Sequence, residues 1–210
     1  MAKILSSGST FPKIKLRTVN FGELVLPDDL KTKYVMILFY RGGWWGKCTS
    51  QLESYQKHFN VLKKLGISIV AASADDFDCA NEVAKGKCYP RSGIEKSFPI
   101  GYGVTKKLAD SLGAFWKEAD IDEDRYMQPA EFLIERETGE IILMSYSDGG
   151  LGRIDAQDVV GIVASREDMK NEIPHIWPWG NWLKNGWVKL VRLFCNKLLV
   201  DKNIFLIKYI

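Results

Sequence analysis

Two apolar runs with a helical stripe between them frame the chain. Tyr34-Val-Met-Ile-Leu-Phe-Tyr40 and Ile67-Ser-Ile-Val-Ala-Ala-Ser73 are short, continuous and rich in β-formers, the pattern of strands buried on both faces. Between them Leu52, Tyr55, Phe59, Leu62 and Leu65 recur at three- and four-residue spacing. That spacing predicts a helix from Cys48 to Leu65, stopped by Gly66. Upstream, Phe11 to Leu26 reads as short extended segments around turns. Downstream, Asp75 or Asp76 caps a short helix toward Lys85, and Gly86 to Gly103 reads mostly as loop. A helix from Thr105 to about Phe115 puts Leu108, Leu112 and Phe115 on one face, and Lys117 to Tyr126 reads as a solvated acidic segment. Glu131 to Glu135 and Glu140 to Tyr146 flank Arg136-Glu-Thr-Gly139 as a hairpin, and Asp155 opens a last helix to about Met169.

Strand, helix, strand demands a parallel pair with a right-handed crossover, and the hairpin adds two antiparallel strands. The expected class is therefore α/β, a mixed sheet with helices on both faces in the manner of the thioredoxin fold. The 210 residues, 46% apolar and 26% charged, suit one soluble domain with an appendage. No apolar run reaches the roughly 18–20 residues of a spanning helix. Met1 to Thr10 does not read as a secretion signal. Cysteines at 48, 79, 88 and 195 are too few and too scattered for a disulfide scaffold, and with two histidines they make poor material for zinc. A reducing, cytoplasmic setting is the simplest expectation.

Charge divides the chain. His175 to Ile210 holds six basic residues and one acid, Asp201, for a charge of +5, so residues 1–174 carry −2 of the chain's +3. Trp177, Trp179, Trp182 and Trp187 lie in that same stretch, and a boundary is placed at Pro174. Leu183, Trp187, Leu190, Val191, Phe194 and Leu198 form a helical stripe, so 175–210 is expected to be a helical extension. Its lysines and tryptophans suit peripheral contact with a membrane surface; packing on its own body or on a partner subunit is the alternative. No nucleic-acid motif accompanies the basic charge.

The chemistry concentrates in Phe39-Tyr-Arg-Gly-Gly-Trp-Trp-Gly-Lys-Cys-Thr-Ser-Gln-Leu52. Here Cys48 falls in the first turn of a helix leaving the carboxyl end of a buried strand, the edge where open α/β sheets bind ligands. The helix terminus, Lys47 and Arg41 all favour a thiolate, and the glycines let amide groups approach an incoming oxygen. The alternative is a small apolar cysteine packed at a helix start. Glu131 and Glu135, two pleats apart, read as solvated strand residues.

Phe39-Tyr-Arg-Gly-Gly-Trp44 resembles the peroxiredoxin-like branch of the alkyl hydroperoxide reductase/thiol-specific antioxidant superfamily, whose members read F-Y-R-G-G-W-C-P-Y-C. The resemblance runs from Phe11 to Val163 and includes Phe98 to Thr105, Gln128-Pro-Ala-Glu-Phe-Leu-Ile134 and Tyr146 to Ile154. Trp45 stands where those relatives carry the first cysteine, so a thioredoxin-type dithiol is absent. In a thioredoxin frame the attacking cysteine is lost. In a peroxiredoxin frame, P-x-x-x-T-x-x-C places Arg41 and Trp45 at the Pro and Thr positions and the peroxidatic cysteine at Cys48. The second frame needs no gap.

That resemblance implies a thiol peroxidase: Cys48 attacks a hydroperoxide, becomes a sulfenic acid and is restored by a thiol reductant, with no metal or organic cofactor. Cys79 or Cys88 is the candidate resolving thiol. Trp44, Trp45, Gln128, Pro129 and Arg153 are the implied substrate pocket. Gln128-Pro129 occupies the place of the family's usual arginine, leaving Arg41, Arg125 or Arg153 to substitute. Pro129 corresponds to the cis-proline of thioredoxin-fold proteins. A homodimer is a further implied partner. The rival class is a redox-inactive member that binds a partner or membrane, or one with a repurposed non-redox site.

Overall fold

Strand β3, Tyr34–Phe39, is buried at all six residues and stands at the heart of the molecule. A computed structural model describes residues 4–89, 91–118 and 125–171. Around β3 run β1 (Ile14–Thr18), β2 (Gly22–Leu26), β4 (Ile67–Ala72), β5 (Ile100–Tyr102), β8 (Ala130–Glu135) and β9 (Glu140–Tyr146). The described residues form a seven-stranded sheet in the order β2-β1-β5-β4-β3-β8-β9. It is mixed: β3 runs parallel to β4 and antiparallel to β8, and β4 runs parallel to β5. A continuous apolar run suits the position of β3, since a strand paired on both edges and covered on both faces has no solvent-facing side.

The crossover from β3 to β4 is helix α1, Gly46–Lys64, with Leu52, Tyr55 and Leu62 fully buried. Gly66, at φ +69, ends it in the left-handed conformation that a residue with a Cβ adopts only at a cost. Helix α2, Phe77–Ala84, is capped by Asp76, whose Oδ1 accepts from the Cys79 N–H at 2.8 Å. Helix α3 is Lys106–Leu112. The core gathers Phe11, Ile14 and Leu16 from the β1 side with Ile37, Phe39, Val70 and Phe132 from the centre of the sheet.

Four expectations need correction. The stretch read mostly as loop between Gly86 and Gly103 contains β5, made a strand by pairing with β1 and β4 rather than by an apolar run of its own. A two-residue ladder joins β6 (Trp116–Lys117) to β7 (Tyr126–Met127) across the acidic segment. Helix α3 stops at Leu112 because Gly113 turns left-handed at φ 70, so Phe115 lies beyond it and is exposed. The cis bond is Leu26–Pro27, whereas Gln128–Pro129 is trans. Pro129 sits at the entry to β8, where a strand needs no donor from it, and its carbonyl accepts from Ser147 N–H at 3.0 Å.

The chain separates into two compact units, residues 1–160 and 161–210, with helix α4 (Ala156–Asn171) crossing the division. Ala156 and Val159 are fully buried in the first unit. The boundary expected at Pro174 and the extension beyond it lie outside the described residues.

Candidate active site

The carboxyl end of β3 emerges between two small residues, with Phe39 opposite Ala72 on β4 and Ala130 on β8. Space is thereby left for the turn that follows. Tyr40 N–H still bonds the Ala72 carbonyl at 3.0 Å, and Trp45 N–H closes the turn onto Gly42 O at 3.2 Å. Trp45 is the N-cap of α1 in extended backbone, and no side chain caps that end. Cys48 is therefore the third residue of α1, as its spacing from the strand predicts, and its exposure is 0%.

Two donors meet its sulfur. Arg41 N–H lies 3.4 Å from Cys48 Sγ, and Arg153 Nη2 donates to it at 3.1 Å. The cation facing the thiol is thus Arg153, from the loop between β9 and α4. Of the three arginines weighed for this role, Arg125 is exposed, and Arg41 turns its guanidinium elsewhere. Its Nη2 donates to Tyr126 Oη at 2.6 Å, and its Cζ stands 4.4–5.2 Å from the rings of Trp45, Tyr126 and Trp44. Lys47 is exposed to solvent. Arg41 serves the sulfur through its backbone.

Arg153 is itself held. Its Nη1 donates to Gln51 Oε1 at 3.0 Å and its Nη2 also reaches Gly150 O at 3.0 Å. Gln51 Nε2 donates in turn to Glu131 Oε1 at 2.8 Å, and Ile154 N–H donates to Glu131 Oε2 at 2.6 Å. Glu131 is 1% exposed, so the expectation of a solvated strand residue is wrong for it. Burial pushes its carboxyl up to about 7, against the hydrogen bonds from Gln51 and Ile154 and the charge of Arg153, which pull it down. Gln51 and Glu131 were not legible as site residues. The available signals were an acid inside the apolar run Ala130-Glu-Phe-Leu-Ile and a polar residue three positions after Cys48, one turn along the helix.

Of the implied pocket residues, Trp44, Trp45 and Arg153 gather around Arg41 and Gly150, while Gln128 and Pro129 contact residues 147–148. Trp44 is 48% exposed and packs edge-on against Trp45 and Tyr126 at 5.8 and 5.4 Å. A Cβ on Gly150 would stand 2.7 Å from Arg41 Nη1 and 3.0 Å from Trp45 Nε1, so this loop closes tightly over both. Gln128 Nε2 donates to Asp148 O at 2.9 Å, beside Pro129 at the start of β8. Arg41 Nε, Trp45 Nε1, Arg153 Nε and Gln128 Oε1 are buried with no protein partner. Buried polar atoms left this way call for an explanation.

Cys79 and Cys88 are both half-buried thiols. Burial and the nearby Asp75 push Cys79 up to about 12, and the same two causes raise Cys88. Asp75 accepts from Gly43 N–H at 2.8 Å and from Ser73 Oγ at 2.9 Å, yet burial still raises it. Among the described residues no three His, Cys, Asp or Glu side chains come together as a metal site.

A mixed sheet with a buried thiol in the first turn of the helix that leaves its central strand defines a redoxin-type protein of the thioredoxin fold. The AhpC/TSA family model matches residues 7–143, and the chain belongs to that family. It is 23% identical to a peroxiredoxin of Treponema denticola over 184 residues, 87% of this chain and 82% of that one. It is 25% identical to alkyl hydroperoxide reductase C of Bacillus subtilis over 162 residues, 77% and 81% of the two chains. Three other peroxiredoxin relatives are matched over less than half of their own length. Among solved structures, a cysteine-to-serine variant of peroxiredoxin 6 from Arenicola marina superposes with a TM-score of 0.68. That likeness covers 79% of this chain and 75% of the other at 20% identity, and it shows the shared fold.

Proposed function

We propose that this protein reduces hydroperoxides through the sulfur of Cys48. As an AhpC/TSA family member with peroxiredoxin relatives along most of its length, it is a thiol-dependent peroxidase, an oxidoreductase that uses a peroxide and a thiol reductant. Family membership favours this over the redox-inactive alternative. The single observation that carries the assignment to Cys48 is Arg153 Nη2 at 3.1 Å from its sulfur, at the start of a helix. A fixed guanidinium and the helix terminus together stabilise negative charge on the sulfur. The Cys48 thiolate attacks one peroxide oxygen; the S–O bond forms, the O–O bond breaks, and the alkoxide leaves and takes a proton as the alcohol. Arg153, already at the sulfur, and Nε1 of Trp45, the N-cap residue of the helix that carries it, are the donors offered to the peroxide oxygens. In this reading Trp45 and Arg153 take over the hydrogen bonds that a hydroxyl and the family's usual arginine would make.

The test treats reduced protein with hydrogen peroxide and maps each thiol by mass. Cys48 oxidises first. Oxidation of Cys48 no faster than Cys195, or equal peroxide consumption by Cys48→Ser, overturns the reading. A homodimer, a cytoplasmic location and peripheral membrane contact through 175–210 belong to the same proposal; no helix among the described residues is long and apolar enough to cross a membrane. Flotation of the full chain with anionic liposomes, against a chain ending at Pro174, tests the membrane contact, and equal flotation removes it.

A further inference from the structure

A buried reactive sulfur has to be reduced again, and Cys48 is closed to any external thiol. Cys79 and Cys88 are not, since both are half-exposed. The turn that leads to Cys48 lies against both. The segment that carries Cys48 out of β3 passes over the other two at Gly43, where a Cβ would stand 3.2 Å from Cys79 Sγ and 3.2 Å from Cys88 Sγ. The two sulfurs are therefore within about twice that distance of each other, and the missing side chain of Gly43 leaves the space between them. A disulfide requires the sulfurs to close to about 2.05 Å with the alpha-carbons within about 7 Å. Cys79 is fixed on α2 by the Asp76 cap, while Cys88 lies in the irregular segment after α2.

One buried residue neighbours both Cys48 and Cys79. Tyr40 is fully buried, and it is close enough to Cys48, Cys79 and Asp75 that charge on any of them disfavours its ionisation. The first turn of α1 has no side-chain cap and no acidic residue, so opening it breaks no cap.

We propose that Cys79 and Cys88 form a second redox centre, a dithiol that takes the oxidising equivalent from Cys48 and presents it at the surface as a disulfide. The inference rests on the peroxidase reading of Cys48. Hydroperoxide converts Cys48 to its sulfenic acid and leaves as the alcohol. With the α1 turn open, Cys79 sulfur attacks Cys48 sulfur; the S–S bond forms, the S–O bond breaks, and the Cys79 proton passes through Asp75 to the leaving hydroxide, releasing water. Cys88 sulfur then attacks Cys79 sulfur, Cys48 leaves as thiolate, and the Cys88 proton goes to solvent. The sum is one hydroperoxide and two thiols giving one alcohol, one water and the Cys79–Cys88 disulfide, which an external thiol reduces. Burial and Asp75 keep both thiols protonated at rest, so peroxide oxidises Cys48 first.

The experiment adds one equivalent of hydrogen peroxide to the reduced full-length protein, quenches with an alkylating agent and maps peptides without reduction. The expected product is a Cys79–Cys88 linked peptide with Cys48 alkylated. In Cys88→Ser the chain stops at a Cys48–Cys79 disulfide, and in Cys79→Ser the Cys48 sulfenic acid accumulates and is captured by dimedone. Finding Cys79 and Cys88 both alkylated in the oxidised wild type overturns the proposal, and that map needs no variant. So does a Cys48–Cys79 disulfide as the end product in the wild type, or a Cys79–Cys88 disulfide formed equally fast in Cys48→Ser. Failure of the peroxidase reading looks different: wild type and Cys48→Ser would then consume peroxide at the same rate.

Discussion

Arg153 carries the electrostatics of the site, and its planar fork explains why. One nitrogen faces Cys48 Sγ and Gly150 O, and the other faces Gln51 Oε1, so the guanidinium is fixed from two sides. Removing it as Arg153→Met should slow peroxide oxidation of Cys48 by about 100-fold, the cost of losing one preorganised donor to developing charge. Stopped-flow fluorescence of the nearby tryptophans follows that step. Arg153→Lys should recover only part of the rate, because an ammonium supplies the charge but cannot span Gln51 and the sulfur together.

Elements hold the site through one buried ion pair. Lys96 Nζ lies 2.6 Å from Glu53 Oε1, with side chains only 2% and 10% exposed, and Ser92 Oγ donates to the same oxygen at 2.7 Å. Together they fasten the segment after α2 onto α1, one turn beyond Cys48. Lys96→Met leaves the Glu53 carboxylate buried without its cation and should cost about 3–5 kcal/mol, read as a lower urea midpoint. Gly86 turns the chain at the start of the same segment. Its φ is +67, and a Cβ there would stand 2.5 Å from Ile94 O. Gly86→Ala should destabilise by more than about 1 kcal/mol in thermal unfolding, because backbone atoms, unlike a flexible side chain, cannot step aside.

Stability of the whole molecule depends on pH through Glu131. Its folded value of about 7 exceeds the ordinary 4.5, because burial disfavours the charged form. The stability this group contributes is fully present below about pH 4.5 and is lost as pH rises through about 7. The loss amounts to about 3 kcal/mol. Glu131→Gln keeps one of the two accepted hydrogen bonds and cannot ionise, so the difference in melting temperature between wild type and variant should shift in the variant's favour from pH 5 to pH 8. An unchanged difference across that range would contradict the assignment.

The strand–turn–helix that carries Cys48 was legible because each of its signals is local. An apolar run, a glycine-rich break and a helical stripe each span fewer than about twenty residues, and each is set by backbone geometry and periodicity. The hairpin of β8 and β9 was legible for the same reason, and so was the redoxin ancestry. What folding decided is long-range. Arg153 reaches Cys48 from 105 positions away, and Gln51 meets Glu131 from 80. Neighbours in sequence misled in turn: Lys47 adjoins Cys48 along the chain yet faces solvent, and Glu131 looked solvated because its partners come from α1 and from the loop before α4. Strand β5 is a strand only because β1 and β4 take its hydrogen bonds. Local order follows from spacing along the chain, whereas the charge around a buried thiol is set by which distant groups packing brings to it.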